Sequence, residues 1–248
     1  MSYLDRELEY HEKLYSGFAQ RHFAKPAVRA LREHMVRRIL QVTGAGKRSR
    51  VLSLGCGIGD TELLLAPHVA NVLGIDLSPA AIRQASADGA HLPNVEFRQG
   101  TVESADGKFD LIIGVFFLHH LPFEEQRAAA GRIRELLADG AVFYGLDPNR
   151  YRLSGAVGNL IFPNLMRKYQ TRDERELDPA ETVRLFREAG LSGQTCYYDF
   201  ISSPLAGLLP SWRFGYLAAR AADEVLTRVP LLRKLGSNLE IVAHRPLK

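Results

Sequence analysis

The sequence predicts an α/β fold, a mostly parallel sheet with helices on both faces, and three observations predict it. From residue 50 onward, short apolar runs rich in β-branched residues alternate with segments of helical period, the pattern of strands joined by crossover helices. The first of these runs ends in a glycine-rich turn where a helix begins. The 248 residues, 46% hydrophobic and 24% charged, can bury one globular core, which excludes disorder of the whole chain.

Taken in order, residues 4–42 carry apolar side chains at helical spacing (Leu14, Phe18, Val28, Leu31, Met35, Ile39), broken only at Pro26, and predict two or three helices. Gly44, Ala45, Gly46 and the basic KRSR then turn the chain into VLSLG, a buried parallel strand expected at 50–54. Helix 60–67, strand 71–76, helix 79–87, strands 94–98 and 109–115, helix 124–137 and strand 140–146 follow. Residues 147–177 read as a long irregular stretch. A helix at 179–189, closed by Gly190, leads to strands at 194–200 and 239–244, separated by an apolar and basic helical insert. That makes seven strands, with no internal repeat and no low-complexity segment.

Composition narrows the function classes. No apolar run reaches the roughly 18 residues of a membrane span, and the start, MSYLDRELEYHEK, is too charged for a signal peptide, so the cytoplasm is the expected compartment. Cys56 and Cys196 are too few for a disulfide framework and lack metal-ligand spacing, so two free thiols and no metal site are expected. The net charge of +4 is unevenly spread: residues 1–50 hold eleven Lys/Arg against five Asp/Glu. Such an arm can meet a phosphate backbone or an anionic membrane surface. It has no RNA-binding signature, so a solvated helix face is the favoured reading and no nucleic-acid partner is expected.

The strongest chemical signal is Leu54-Gly55-Cys56-Gly57-Ile58-Gly59-Asp60, at the junction of a strand and a helix. Its glycines permit a tight turn and let a ligand approach the backbone. Asp76 stands seventeen residues after Gly59, at the end of Val72-Leu73-Gly74-Ile75-Asp76, where a carboxylate can accept both hydroxyls of a ribose. The order strand, glycines, helix, strand, acid indicates a nucleoside ligand. The spacing G-x-G-x-G departs from the G-x-G-x-x-G of dinucleotide-binding dehydrogenases.

At this point the sequence resembles the class I S-adenosylmethionine-dependent methyltransferases. VLSLGCGIGD is similar to the loop beneath the amino acid part of their cofactor, VLGIDLSPAAI to the ribose-binding turn, and NVEFRQGTVES to the third strand with its adenine-contacting turn. FDLIIGVFFLHHLP resembles the fourth strand and active-site edge, and LLADGAVFYGLDPN the fifth. The resemblance covers most of residues 48–200. It implies a Rossmann-like, doubly wound sheet of seven strands and S-adenosylmethionine as cofactor, held by Ser53, Gly55, Cys56, Gly57, Gly59, Asp76, Leu77, Thr101, Val102 and Val115. Two positions depart from the family pattern. Ser53 stands where an acid is usual and Thr101 where Asp is frequent. Ser53 brings no charge for the cofactor's amino group, so Asp60 or a backbone carbonyl is expected to compensate.

His119 and His120 follow an apolar strand at the edge where open α/β sheets place their ligands. A hydroxyl, phenol or amine acceptor loses a proton as it attacks a methyl group, and an imidazole titrating near neutrality can take it. One of the pair is the candidate general base, with His119 ahead of His120; both can equally be structural. Tyr15, Phe18, His22 and Phe23 lie in an N-terminal segment that, in similar methyltransferases, folds over the cofactor as a lid. Tyr15 is then a candidate for the cofactor carboxylate, Phe18 for excluding water near the acceptor, and His22 for a second acid or base.

The chain is thus expected to form one domain: a lid over 1–48, a cofactor-binding core over 49–147, and acceptor-site inserts over 148–178 and 203–236. Tyr151, Arg152, Tyr169 and Trp212 are the candidate acceptor contacts in these inserts. The second insert, apolar with basic neighbours, can instead lie on a membrane surface, and a plain helical cover is the simpler reading. The expected activity is methylation of a small, partly apolar acceptor, with a hydroxyl or phenol first and an amine or activated carbon behind it. A methyltransferase of RNA or protein and a non-catalytic cofactor-binding module are the rivals. Monomer and homodimer both stand open.

Overall fold

The computed structural model describes Leu8, Glu9, Glu12 and residues 24–161 and 175–247. Its framework is a seven-stranded sheet: β1 (Arg50–Leu54), β2 (Asn71–Asp76), β3 (Val95–Gln99), β4 (Phe109–Val115), β5 (Leu137–Pro148), β6 (Ser192–Asp199) and β7 (Asn238–His244). The strand order is β3-β2-β1-β4-β5-β7-β6. Neighbours are parallel except at β7, which runs antiparallel to both β5 and β6. The order reverses direction between β1 and β4, and that switch point is where open α/β sheets leave a crevice at the carboxyl ends of their strands.

The sheet is joined by helices α1 (Pro26–Thr43), α2 (Asp60–Leu65), α3 (Pro79–Gly89), α4 (Phe123–Leu136), α5 (Leu153–Ile161), α6 (Pro179–Glu188), α7 (Ser202–Leu208) and α8 (Arg213–Leu226). The strands read as near-continuous apolar runs because both faces are covered. Along β1 and β4 the side chains alternate between two cores. Val51, Leu111 and Ile113 face Met35 and Ile39 of α1, whereas Leu52 and Ile112 face Ile133 and Leu136 of α4 and Phe186 of α6. A buried polar knot locks α1 across the sheet: Glu240 of β7 accepts from Arg38 Nε at 2.9 Å, Arg38 Nη2 at 2.7 Å and Tyr144 Oη at 2.9 Å.

The expected elements are present, with shifts at their ends. Proline opens α1, α3 and α6 at a position that needs no amide donor, and Ser78 and Asp178 cap the latter two with side-chain acceptors. The main difference is α5, a helix inside the stretch expected to be irregular. Its sequence, LSGAVGNLI, is apolar nearly throughout and carries two glycines, so it shows no amphipathic period to read. The expected lid residues Tyr15, Phe18, His22 and Phe23, and Tyr169 of the first insert, lie outside the described residues.

Candidate active site

The glycine turn is built by backbone donors and acceptors. The N–H groups of Gly55 and Cys56 both donate to the Ile75 carbonyl, at 2.8 and 3.1 Å. The Gly57 N–H donates to Asp76 Oδ2 at 2.8 Å, and the Ser78 N–H to Asp76 Oδ1 at 2.9 Å. Gly57 and Gly59 adopt φ of 54° and 77°, left-handed values that cost a side-chain-bearing residue energy. Gly74 is required for a different reason: a Cβ there would stand 2.6 Å from the Phe97 ring and 2.9 Å from Cys56 Sγ. Cys56 is buried, and burial, with Glu62 and Asp76 nearby, pushes its thiol well up, so it packs rather than reacts.

Asp76 is therefore a nearly buried carboxylate whose oxygens are each aimed by one backbone N–H. Lone pairs remain on both, which fits two adjacent ribose hydroxyls. Leu77 and Thr101 flank it, half-buried, and the Gly100 N–H donates to the Asp76 carbonyl at 2.9 Å. Val102 packs on the neighbouring core, and Val115 ends β4 against the opposite one. Glu12 reaches the same turn, accepting from Ser78 Oγ at 2.6 Å and the Ala80 N–H at 3.0 Å. These two bonds hold its carboxyl below the usual range.

Ser53 does not stand alone. Its hydroxyl donates to Glu62 Oε1 at 2.5 Å. Asp60, the expected compensating acid, is ion-paired with Arg32 Nε of α1 at 2.6 Å.

After β4 the chain makes a strained turn. Phe116 has φ of 56°, unfavourable for an aromatic residue, and its N–H donates to the Leu146 carbonyl at 2.7 Å. The Phe117 ring lies against Gly55, where a Cβ would approach it to 3.0 Å. His119 and His120 follow in a short 3-10 turn, Leu118–His120. His119 Nδ1 lies 2.8 Å from Oδ1 of Asp147, which also accepts the His119 backbone N–H at 3.2 Å. Asp147, next to last in β5, is 0% exposed, and its Oδ2 has no hydrogen-bond partner among the described residues. A carboxylate on Nδ1 holds the proton of the neutral ring there and leaves Nε2 as the basic nitrogen. The His120 ring lies 4.0 Å from that of His119, centroid to centroid.

Comparison with known proteins now bears on this geometry. Residues 51–140 match a protein family described as a methyltransferase domain. Over 186 residues, 73% of this chain and 70% of the relative, the sequence is 34% identical to the uncharacterized methyltransferase YcgJ of Bacillus subtilis (strain 168). The chain belongs to the class I S-adenosylmethionine-dependent methyltransferases. It is also 29% identical to a ubiquinone biosynthesis O-methyltransferase of Acinetobacter baylyi over 157 residues, 59% of this chain and 64% of that relative. The crystal structure of magnesium protoporphyrin IX methyltransferase (ChlM) from Synechocystis PCC 6803 with bound SAH shares the fold. Its TM-score is 0.63 at 15% identity, covering 94% of this chain and 97% of that one.

The other expected acceptor contacts of the methyltransferase are placed as follows. Tyr151 donates its hydroxyl to Asp178 Oδ2 at 2.5 Å, and Arg152 is ion-paired with Glu176. Both brace residues 149–152 against 175–178, the strand-like segment whose Arg175 N–H donates to the His119 carbonyl at 2.8 Å. Trp212 precedes α8 and is 54% exposed; two residues earlier, the Pro210 carbonyl accepts the Ala27 N–H at the start of α1. His22 lies outside the described residues. Sequence reasoning missed Glu12, Glu62, Phe116 and Asp147.

Asp76→Ala removes the acceptor of two backbone donors together with the ribose carboxylate. Two charge-assisted hydrogen bonds are worth about 3 kcal/mol, so calorimetry should show S-adenosylhomocysteine affinity falling roughly 100-fold. Unchanged affinity would contradict the ribose assignment.

Proposed function

We propose that this methyltransferase acts on a small, partly apolar acceptor, a hydroxyl or phenol in the first instance, with His119 as the general base. The observation that carries this reading is the His119–Asp147 pair at the carboxyl edge of the sheet. S-adenosylmethionine, when bound, supplies an electrophilic methyl on a sulfonium that departs as a thioether. The protein's part is to hold both reactants and to receive one proton. Asp76 and Leu77 hold the ribose, Gly55, Cys56, Gly57 and Gly59 the amino acid part, Thr101 and Val102 the adenine, and Val115 closes the edge of the cofactor cleft. His119 Nε2 takes the acceptor's O–H proton as oxygen gains the methyl group, and Asp147 stabilises the imidazolium that results. Glu12 is tied to the same turn through Ser78 and the Ala80 N–H. The relatives named for ubiquinone and protoporphyrin methylation support an acceptor of small-molecule class.

A second observation concerns where the acceptor is met. The 203–236 insert joins the end of β6 to the start of β7, at the edge where Asp147 also lies, since Asp147 pairs with Leu239. It exposes Leu208 (62%), Phe214 (79%) and Leu231 (84%), with Arg213, Arg228, Arg233 and Lys234 exposed among them. Apolar side chains interleaved with cations fit an anionic bilayer surface, from which a partly apolar acceptor can be drawn.

Two measurements test these readings. With a phenolic acceptor that the wild-type enzyme turns over, Asp147→Asn and His119→Gln should each lower kcat by roughly 10²–10⁴-fold and leave cofactor affinity intact; full turnover in both would place the base elsewhere. The chain should co-sediment with phosphatidylglycerol-containing vesicles at low salt and not with phosphatidylcholine vesicles, and the Phe214→Ser/Leu231→Ser variant should lose this at unchanged Tm. Indifference to both vesicle types, or self-association through the same side chains, would refute the membrane reading.

A further inference from the structure

Glu62 is 2% exposed, one of its carboxylate oxygens accepts the Ser53 hydroxyl, and the other, Oε2, is buried without a hydrogen-bond partner among the described residues. An unpartnered buried carboxylate oxygen costs free energy comparable to a lost hydrogen bond or more. Its neighbours do not relieve it. The Cys56 thiol faces it from the glycine turn, and Asp60 adds a second negative charge on α2. Arg32 of α1, the nearby cation, is committed to Asp60 at 2.6 Å and to Thr61 Oγ1 at 3.3 Å. Burial above all, and Asp60 in addition, push the Glu62 carboxyl up to about 7, against the lowering effect of Ser53 and Arg32.

The position of this acid gives it a use. Ser53 occupies the strand site where the similar methyltransferases usually carry an acid, and Glu62 delivers a carboxylate to that same site from α2, nine residues on. We propose that Glu62 receives the ammonium of the cofactor's amino acid part, the charge having moved from β1 to α2 with Ser53 as its brace. Oε2 then gains the donor it lacks, and the ammonium gains a counter-ion without a charged residue on β1. Asp60 keeps its pairing with Arg32, which orients α1 over the turn.

Two consequences follow from the chemistry. The ammonium favours the ionised carboxyl, so binding below neutrality releases the Glu62 proton, and affinity should rise up to about tenfold per pH unit from pH 6 toward 7 before levelling off. In the free protein the sign is the reverse. A raised folded-state value means protonated Glu62 is the better tolerated form, so its contribution to stability is lost as pH rises from about 4.5 through about 7.

The test is calorimetric titration of the full chain with S-adenosylhomocysteine and with 5′-methylthioadenosine, which shares the nucleoside and thioether but has no ammonium group. Glu62→Gln keeps the shape and can still accept from Ser53. It should weaken S-adenosylhomocysteine roughly 10- to 100-fold, leave methylthioadenosine unchanged, and flatten the pH dependence between 6 and 8. Adding Ser53→Asp to that variant should restore much of the lost affinity. Equal losses for both ligands would make Glu62 a structural brace, and undiminished S-adenosylhomocysteine binding would remove it from the site; either result overturns the proposal. Thermal unfolding of each variant identifies any loss caused by misfolding.

Discussion

The hydrogen bond from the Gly57 N–H to Asp76 Oδ2, 2.8 Å long, is the contact on which the rest of the site depends. It joins the turn after β1 to the end of β2, and the shared Ile75 carbonyl reinforces it by accepting from Gly55 and Cys56. The turn must therefore pass close to β2. A Cβ on Gly74 would collide with Phe97 and Cys56, and one on Gly59 would stand 2.6 Å from the Phe97 ring. The same bond aims the carboxylate, so Asp76 and the backbone turn are one construction. Mutating either half disturbs both.

The buried acids of this protein divide by how fully they are satisfied. Glu240 has both oxygens engaged by Arg38 and one also by Tyr144. Asp199 is held by Ser202, the Ser203 N–H and Asn238, and Asp223 accepts the N–H groups of Ile201 and Ser202. Both oxygens of each of these acids accept hydrogen bonds from neighbouring helices and strand ends, which they brace. Glu62 and Asp147 differ, since each uses one oxygen on a neighbour while the other is buried with no hydrogen-bond partner among the described residues. Folding alone does not favour such groups, because replacing them with apolar residues of similar volume would remove a desolvation cost. One lies beneath Ser53 beside the glycine turn and the other behind His119, the places to which the proposals above assign an ammonium and a transferred proton.

Much of this was legible in the sequence. Val51-Leu52 and Leu111-Ile112 read as two-faced strands because their apolar runs have no polar face, and the spacing of GCGIGD and Asp76 marked the turn that the Gly57–Asp76 hydrogen bond closes. The missed features are those whose meaning depends on a partner far along the chain. Asp147 looks like the polar end of an apolar strand until His119, twenty-eight residues earlier, is brought against it. Glu62 reads as the solvated face of a short helix, and only the packing of α2 on β1 shows it buried beneath Ser53. Glu12 meets Ser78 across sixty-six residues. Of the two acids at the start of α2, Glu62 contacts Ser53 while Asp60 pairs with Arg32, a distinction that sequence spacing does not make.

The most direct test of the central claim, that the turn and Asp76 form a methyltransferase cofactor site and not a dinucleotide site, is a calorimetric comparison of the wild-type chain with S-adenosylhomocysteine and with NAD under identical conditions. Saturable one-to-one binding of S-adenosylhomocysteine with no heat from NAD is the predicted result. NAD binding at comparable affinity, or silence from both ligands, would contradict it.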